Sequence, residues 1–297
     1  MTTTPQNGHA FAPTGEHLWR AADGTRLAVY DWKAVAPRGT ALIVHGLGEY
    51  ALRYNHVAAW FVSQGYAVRA YDQFGHGHSD GPRGGLVRDL QLCEHLAQLA
   101  AVTDAHGRLL VVGHSLGGLV AASAVARQMI APDRLLLSSP ALAVDTQAWQ
   151  RIALAVLPKI LPSLRVGNGV QPRFISHDET VVNAYRSDPL VHDRICARLG
   201  AFVASEGEFV RTAAADWTID TLLAFAGDDR LVAARGSREF LARAPTTIVK
   251  GIRFPRGIIT VTKNAKGEET KVTLTFEKIT VNEPLPAKEF AVPAITR

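Results

Sequence analysis

Residues 109–118 read Leu109-Leu110-Val111-Val112-Gly113-His114-Ser115-Leu116-Gly117-Gly118, and this stretch decides the fold. Four apolar residues suit a short buried strand. The Ala- and Val-rich run from Leu116 to Gln128 suits a helix. Between them, Gly113 to Gly117 predicts a turn tight enough to hold Ser115 strained with its hydroxyl exposed, where side chains at 113 and 117 would clash. Ser115 is therefore a candidate nucleophile. The backbone N–H of Leu116, at the helix start, is a candidate oxyanion donor.

Outward from this turn, short apolar strands alternate with helical spacing. Strands are predicted over 24–32, 40–45, 66–71, 134–138 and 221–226, and helices over 55–64, 86–102 and 234–242. That alternation predicts an α/β fold with a mostly parallel sheet flanked by helices. Ligands on such sheets bind beyond the strand carboxyl ends. Over 141–217 the alternation stops. Residues 152–164 are apolar and Pro-punctuated and 179–199 are helical, which predicts an inserted helical cap. The domains read as 15–140 and 218–249 for the two parts of the core, 141–217 for the cap, and 250–297 for a β-rich tail.

Two further strand ends carry chemistry. His45-Gly46-Leu47-Gly48-Glu49 follows a buried strand, and its glycines let the backbone approach a ligand, making the N–H of Leu47 the second candidate oxyanion donor. Asp72 to Gly81 contains His76 and His78 on opposite sides of an irregular loop with no third ligand nearby in sequence. They read as loop-structuring residues, so neither a metal nor another cofactor is expected.

Together with Arg53-Tyr54 and Ser187-Asp188-Pro189-Leu190, these motifs resemble the monoacylglycerol lipase and lysophospholipase group of α/β-hydrolases, also labelled serine aminopeptidase-like. The resemblance covers roughly residues 15–245. It implies a Ser-Asp-His esterase with a lipid-facing cap, cleaving monoacylglycerol- or lysophospholipid-like esters through an acyl-enzyme on Ser115. In Gly227-Asp228-Asp229-Arg230-Leu231-Val232 the family's acid position matches Asp229, with Asp228 the alternative. Its role would be to orient an imidazole and stabilise the imidazolium.

The imidazole itself is missing. The family places it on the loop after the last strand, yet residues 250–259 contain no histidine and all 11 histidines lie at or before His192. The composition changes at the same place: residues 1–249 hold 21 Arg and two Lys, whereas 250–297 hold six Lys and three Arg. From Ile258 to Phe276 apolar and polar residues alternate with period two, which predicts a hairpin, with a parity slip between Phe276 and Ile279. The native hydrolase end thus reads as replaced. His114 and His45 are expected to support their loops, which leaves His192, near Asp188, as the one candidate surrogate base. Two readings stand: a serine ester hydrolase by family, or a catalytically impaired hydrolase-fold chain that binds acyl ligands or arose by fusion or frame error.

Composition bounds the rest. A chain of 297 residues, 47% hydrophobic and 20% charged, is globular rather than disordered or coiled-coil. The net charge of +5 comes from scattered residues without aromatic interleaving, which argues against nucleic acid. No apolar run reaches the length of a membrane span, although transient contact with a membrane surface fits a lipid substrate. Two cysteines and a polar start predict a cytoplasmic protein. The expected partner is a small lipid or ester.

Overall fold

The computed structural model describes residues 11–145, 148–176, 178–254, 258–263 and 269–274. Strands β1 (Gly15–Arg20) and β2 (Arg26–Trp32) form an antiparallel edge pair. The chain then alternates through β3 (Thr40–Val44), α1 (Asn55–Ser63), β4 (Ala67–Tyr71), α2 (Gln91–Val102), β5 (Leu109–His114), α3 (Leu116–Ala126) and β6 (Arg134–Ser138). An inserted segment follows, with α4 (Ala148–Ile160), β7 (Arg165–Gly167), α5 (Glu179–Ser187), β8 (Arg194–Cys196) and α6 (Ala197–Ala213). The sheet resumes with β9 (Thr221–Ala226), α7 (Ala234–Arg243) and β10 (Val249–Phe254). Its eight strands lie in the order β1-β2-β4-β3-β5-β6-β9-β10, antiparallel at β1–β2 and β2–β4 and parallel from β4 onward. This is the mostly parallel, helix-flanked sheet that the strand spacing predicts.

Alternate residues of the central strands face opposite layers, as period two requires. Leu42, Val44 and Val111 join Leu92, Leu96, Leu119 and Phe240 on one side of the sheet. Ala41, Ile43 and Val112 join Ala58 and Phe61 of α1 on the other. Helix α3 is buried from Leu116 to Val125, so its sequence carries no polar stripe.

The helix expected over 179–199 is in fact interrupted. Pro189 holds Asp188 extended (φ −76°, ψ 116°), so α5 stops at Ser187. The chain continues into β8, and Cys196 Sγ caps α6 by accepting the Leu199 N–H at 3.3 Å. Helix α6 lies against α3. Glu206 accepts the Ser123 hydroxyl at 2.5 Å and a two-pronged contact from Arg127 at 2.7 and 2.8 Å, which compensates burial of its carboxylate. Gly200 and Gly207 weaken the helical signal of this stretch. Gly207 is needed because a Cβ there would come 2.6 Å from the Leu142 carbonyl.

Residues 1–254 form one compact unit and 255–297 a second. Within the second, β11 (Ile258–Lys263) pairs antiparallel with β12 (Glu269–Leu274), Ile258 opposite Leu274. The parity slip expected between Phe276 and Ile279 lies outside the described residues. Among the described residues no helix is long and apolar enough to cross a membrane.

Candidate active site

Ser115 sits between β5 and α3 with φ +51° and ψ −116°. Such a conformation costs a non-glycine residue about 1–3 kcal/mol and persists only where its surroundings enforce it. Here the Ser115 N–H donates to Ser138 O at 3.0 Å, and its carbonyl accepts from Leu119 N at 3.1 Å and Ala141 N at 3.0 Å. A Cβ at Gly113 would lie 2.6 Å from the Gly117 carbonyl, and one at Gly117 would collide with the carbonyls of Val44 and His45. Two glycines thus set the tight crossing that the spacing predicts. The Ser115 hydroxyl makes no hydrogen bond with any described residue. His114 is engaged elsewhere, its Nδ1 3.1 Å from Ser138 Oγ and its ring 6.2 Å from Tyr54.

The loop after β3 packs against this turn, so that a Cβ at Gly46 would lie 3.3 Å from Ser115 Cβ. The Gly46 N–H donates to Glu49 Oε1 at 2.7 Å, and the Tyr54 hydroxyl donates to the same oxygen at 2.7 Å. Arg53 bridges Glu49 (3.5 Å) and Asp188 (3.7 Å), and the Tyr50 hydroxyl donates to Asp188 Oδ2 at 2.7 Å. Burial and the facing carboxylate of Glu49 drive the Tyr54 hydroxyl well above its ordinary pKa. Burial and Asp188 push Tyr50 up to about 12. Both phenols therefore stay protonated donors. With the Gly46 N–H taken by Glu49, the N–H groups of Leu47 and Leu116 are left without an acceptor among the described residues. Glu49 belongs to a motif visible in sequence, but its reach back to Gly46 was not read there. A carboxylate three residues beyond a glycine turn was the available signal.

His45 holds the loop from below. Its Nδ1 donates to Gly46 O at 2.7 Å, its Nε2 accepts the Gln73 N–H at 2.9 Å, and Gln73 Nε2 donates to its carbonyl at 2.7 Å. Asp72 organises the next loop, accepting from Ala51 N and His78 N at 2.8 Å each and from the Tyr30 hydroxyl at 3.2 Å. His76 is fully buried with Nδ1 3.0 Å from Phe74 O. Among the described residues no group of three or more His, Cys, Asp or Glu side chains could hold a metal ion.

Asp229 lies in the turn after β9, two strands from β5 across β6. Its Oδ1 accepts from Leu231 N and Val232 N at 2.9 Å each, while the neighbouring Asp228 is exposed. Asp229 lines a cavity of about 710 Å³ together with Leu154, Leu157, Leu164, Asn168 and Val203 of the inserted segment. Ser115 lies outside that lining. The Gly46–Gly48 loop spans the gap, since a Cβ at Gly48 would come 3.3 Å from Asn168 Nδ2.

His192 donates its backbone N–H to Gly48 O at 2.9 Å. Its ring lies 4.8 Å from that of His76, and its Nδ1 accepts from Arg194 N at 3.2 Å. Among the described residues no hydrogen bond joins it to Ser115 or Asp229. The edge strand β10 ends at Phe254, and no histidine follows it in the sequence.

A parallel sheet entered through an antiparallel second strand, with a serine at positive φ between β5 and α3, defines an α/β-hydrolase. The family described as Hydrolase_4, serine aminopeptidase S33, matches residues 35–258, and the chain belongs to it. It is 34% identical over 252 residues to a monoacylglycerol lipase of Mycolicibacterium smegmatis, covering 82% of this chain and 86% of that protein. An abhydrolase domain-containing protein of Dictyostelium discoideum is 29% identical over 262 residues, and the match spans 28% of its length and 87% of this chain. A crystal structure of Paleococcus ferrophilus monoacylglycerol lipase is 29% identical and superposes with a TM-score of 0.69, over 77% of this chain and 89% of that one.

Proposed function

We propose that this chain carries a serine ester-hydrolase site for monoacylglycerol- or lysophospholipid-like esters, and that the site as written lacks its general base. In the acylation step Ser115 Oγ attacks the ester carbonyl, the N–H groups of Leu47 and Leu116 receive the negative oxygen, and the bond to the alcohol breaks. With a base supplied, the Oγ proton would pass through it to the leaving alkoxide, and water would then release the acid by the reverse proton path. Asp229 is the group that would orient and charge-balance the base. Residues 141–217 act as a cap, and the 710 Å³ cavity between them and the Asp229 turn takes the lipid. The monoacylglycerol lipase relatives support that substrate class.

The observation that carries the reading is the strained backbone of Ser115, φ +51°, with its hydroxyl unpartnered among the described residues. Prolonged exposure to an alkyl fluorophosphonate, followed by mass mapping, tests it. The expected adduct is on Ser115 and forms slowly. An adduct elsewhere, unchanged by Ser115→Ala, contradicts the assignment. A second reading, acyl-ligand binding without turnover, is favoured by the absence of any histidine beyond His192. Tight binding of a non-hydrolysable monoacylglycerol ether combined with no turnover of the matching ester supports it.

A further inference from the structure

Three histidines from three chain segments stack beneath the Gly46–Gly48 loop. His45 ends the run after β3, His76 lies in the loop after β4, and His192 comes from the inserted segment. Ring centroids are 5.2 Å apart for His45 and His76, and 4.8 Å for His76 and His192. His45 and His76 are fully buried. Among the described residues the Nε2 atoms of His76 and His192 are both buried and meet no partner at full hydrogen-bond geometry, although the Gly75 backbone faces the His192 imidazole and favours its charged form. Two backbone bonds beside the stack fasten the inserted segment to the core, His192 N–H to Gly48 O at 2.9 Å and Cys196 N–H to Gly84 O at 2.8 Å; within the segment, Asn168 Nδ2 lies 3.5 Å from His192 O.

We propose that the His76–His192 contact is an acid-sensitive latch, which below neutral pH releases the 188–196 segment from the Gly46–Gly48 loop before the fold as a whole is lost.

The charged groups around the stack leave a proton there without a counter-ion. Arg83, whose guanidinium donates to Gly77 O at 2.6 Å, faces both rings and repels it. The nearby carboxylates are engaged: Asp72 by Ala51, His78 and Tyr30, Glu49 by Gly46 and Tyr54, and Asp188 by Tyr50 and Arg53. Asp193 is exposed and paired with Arg194 at 3.2 Å. Burial, then the neighbouring imidazoles and Arg83, hold His76 well below the ordinary histidine range, and burial with Arg83 brings His192 down to about 4. A depressed pKa means that the docked state is favoured above the ordinary value near 6.5. That preference is lost as pH falls from there toward the docked-state value.

Amide hydrogen exchange at pH 7 and pH 5, corrected for intrinsic rates, tests the latch. In the wild-type chain, protection of residues 188–196 should fall at least tenfold between the two, while β5 and α3 keep theirs. His192→Phe preserves ring stacking without a titratable nitrogen and should keep residues 188–196 protected at pH 5. Equal loss in His192→Phe, no loss in the wild type, or simultaneous loss across β5 and α3 each overturns the proposal. Should His192→Phe not fold, imidazole NMR titration of the wild type decides. His76 or His192 titrating at the ordinary value near 6.5 overturns it, whereas titration below that, in step with the Gly48 amide shift, supports it.

Discussion

Glu49 Oε1 accepts the Gly46 N–H at 2.7 Å, which curls the loop after β3 back on itself and leaves Leu47 as its available donor. The same oxygen receives the Tyr54 hydroxyl, so removing the carboxylate strands two donors at once. Glu49→Ala should therefore cost at least about 2 kcal/mol. Glu49→Gln, which keeps an acceptor, should cost less. Urea unfolding of the two variants checks the order, and equal stabilities would show that the bond is incidental.

Gly117 is the tightest point of the turn. An alanine there drives its methyl into the backbone carbonyls of Val44 and His45, which no rotamer change relieves. Gly117→Ala should lose about 3 kcal/mol or more, or fail to fold. An alanine at Gly107, where a Cβ meets nothing within 4 Å but φ is +91°, should cost less. Denaturant midpoints of the pair provide the comparison.

Far from the site, Asp23 ties the β1–β2 turn to α2 through His95 at 3.0 Å and to the loop before that helix through Arg88 at 3.0 Å. Burial raises its pKa, but hydrogen bonds from Thr25, His95 and Arg88 outweigh this and hold the carboxyl well below the usual range. A lowered folded-state pKa stabilises the fold above the unfolded value near 3.9 and ceases to do so as pH falls through the folded one. The stability gap between wild type and Asp23→Asn should be full at pH 7 and should narrow below about pH 4. A gap that widens on acidification contradicts the sign.

The cavity makes a prediction about ligand length. Each buried methylene contributes about 0.8 kcal/mol, so affinity for monoacylglycerol ethers should rise roughly fourfold per carbon until the space is full. Leu157→Trp, which fills part of the lining, should end that rise at a shorter chain. Calorimetric titration across a chain-length series measures it, and affinity independent of length rules out the cavity as the acyl site.

How much of this was legible beforehand follows from the range of each interaction. The strand–turn–helix around Ser115 is local, and its glycines are the physical requirement itself, so residues 109–118 and the alternation around them were enough for the sheet. Helix α6 was hidden because Gly207 suits close packing on the 141–142 backbone and Gly200 suits contact with Leu154, contacts made some 45 to 65 residues away in sequence. The seating of His192 on His76 was equally hidden. Sequence proximity to Asp188 suggested a base over the pocket and gave no sign of the Gly48 carbonyl and the His76 ring, both distant in sequence, that engage it.

The central claim is the proposed one, that Ser115 is a nucleophile served by Leu47, Leu116 and Asp229 but by no base, since residues 255–297 contain no histidine. The most direct measurement is hydrolysis of a long-chain p-nitrophenyl ester by three proteins: the chain as it stands, the chain with a family-type His loop and helix joined after Phe254, and that joined chain with Ser115→Ala. The chain as it stands should be nearly inert, the joined chain should gain turnover on the order of a million-fold at most and several orders of magnitude at least, and Ser115→Ala should abolish the gain. Ordinary enzyme rates from the chain as it stands, lost on Ser115→Ala, would contradict the account.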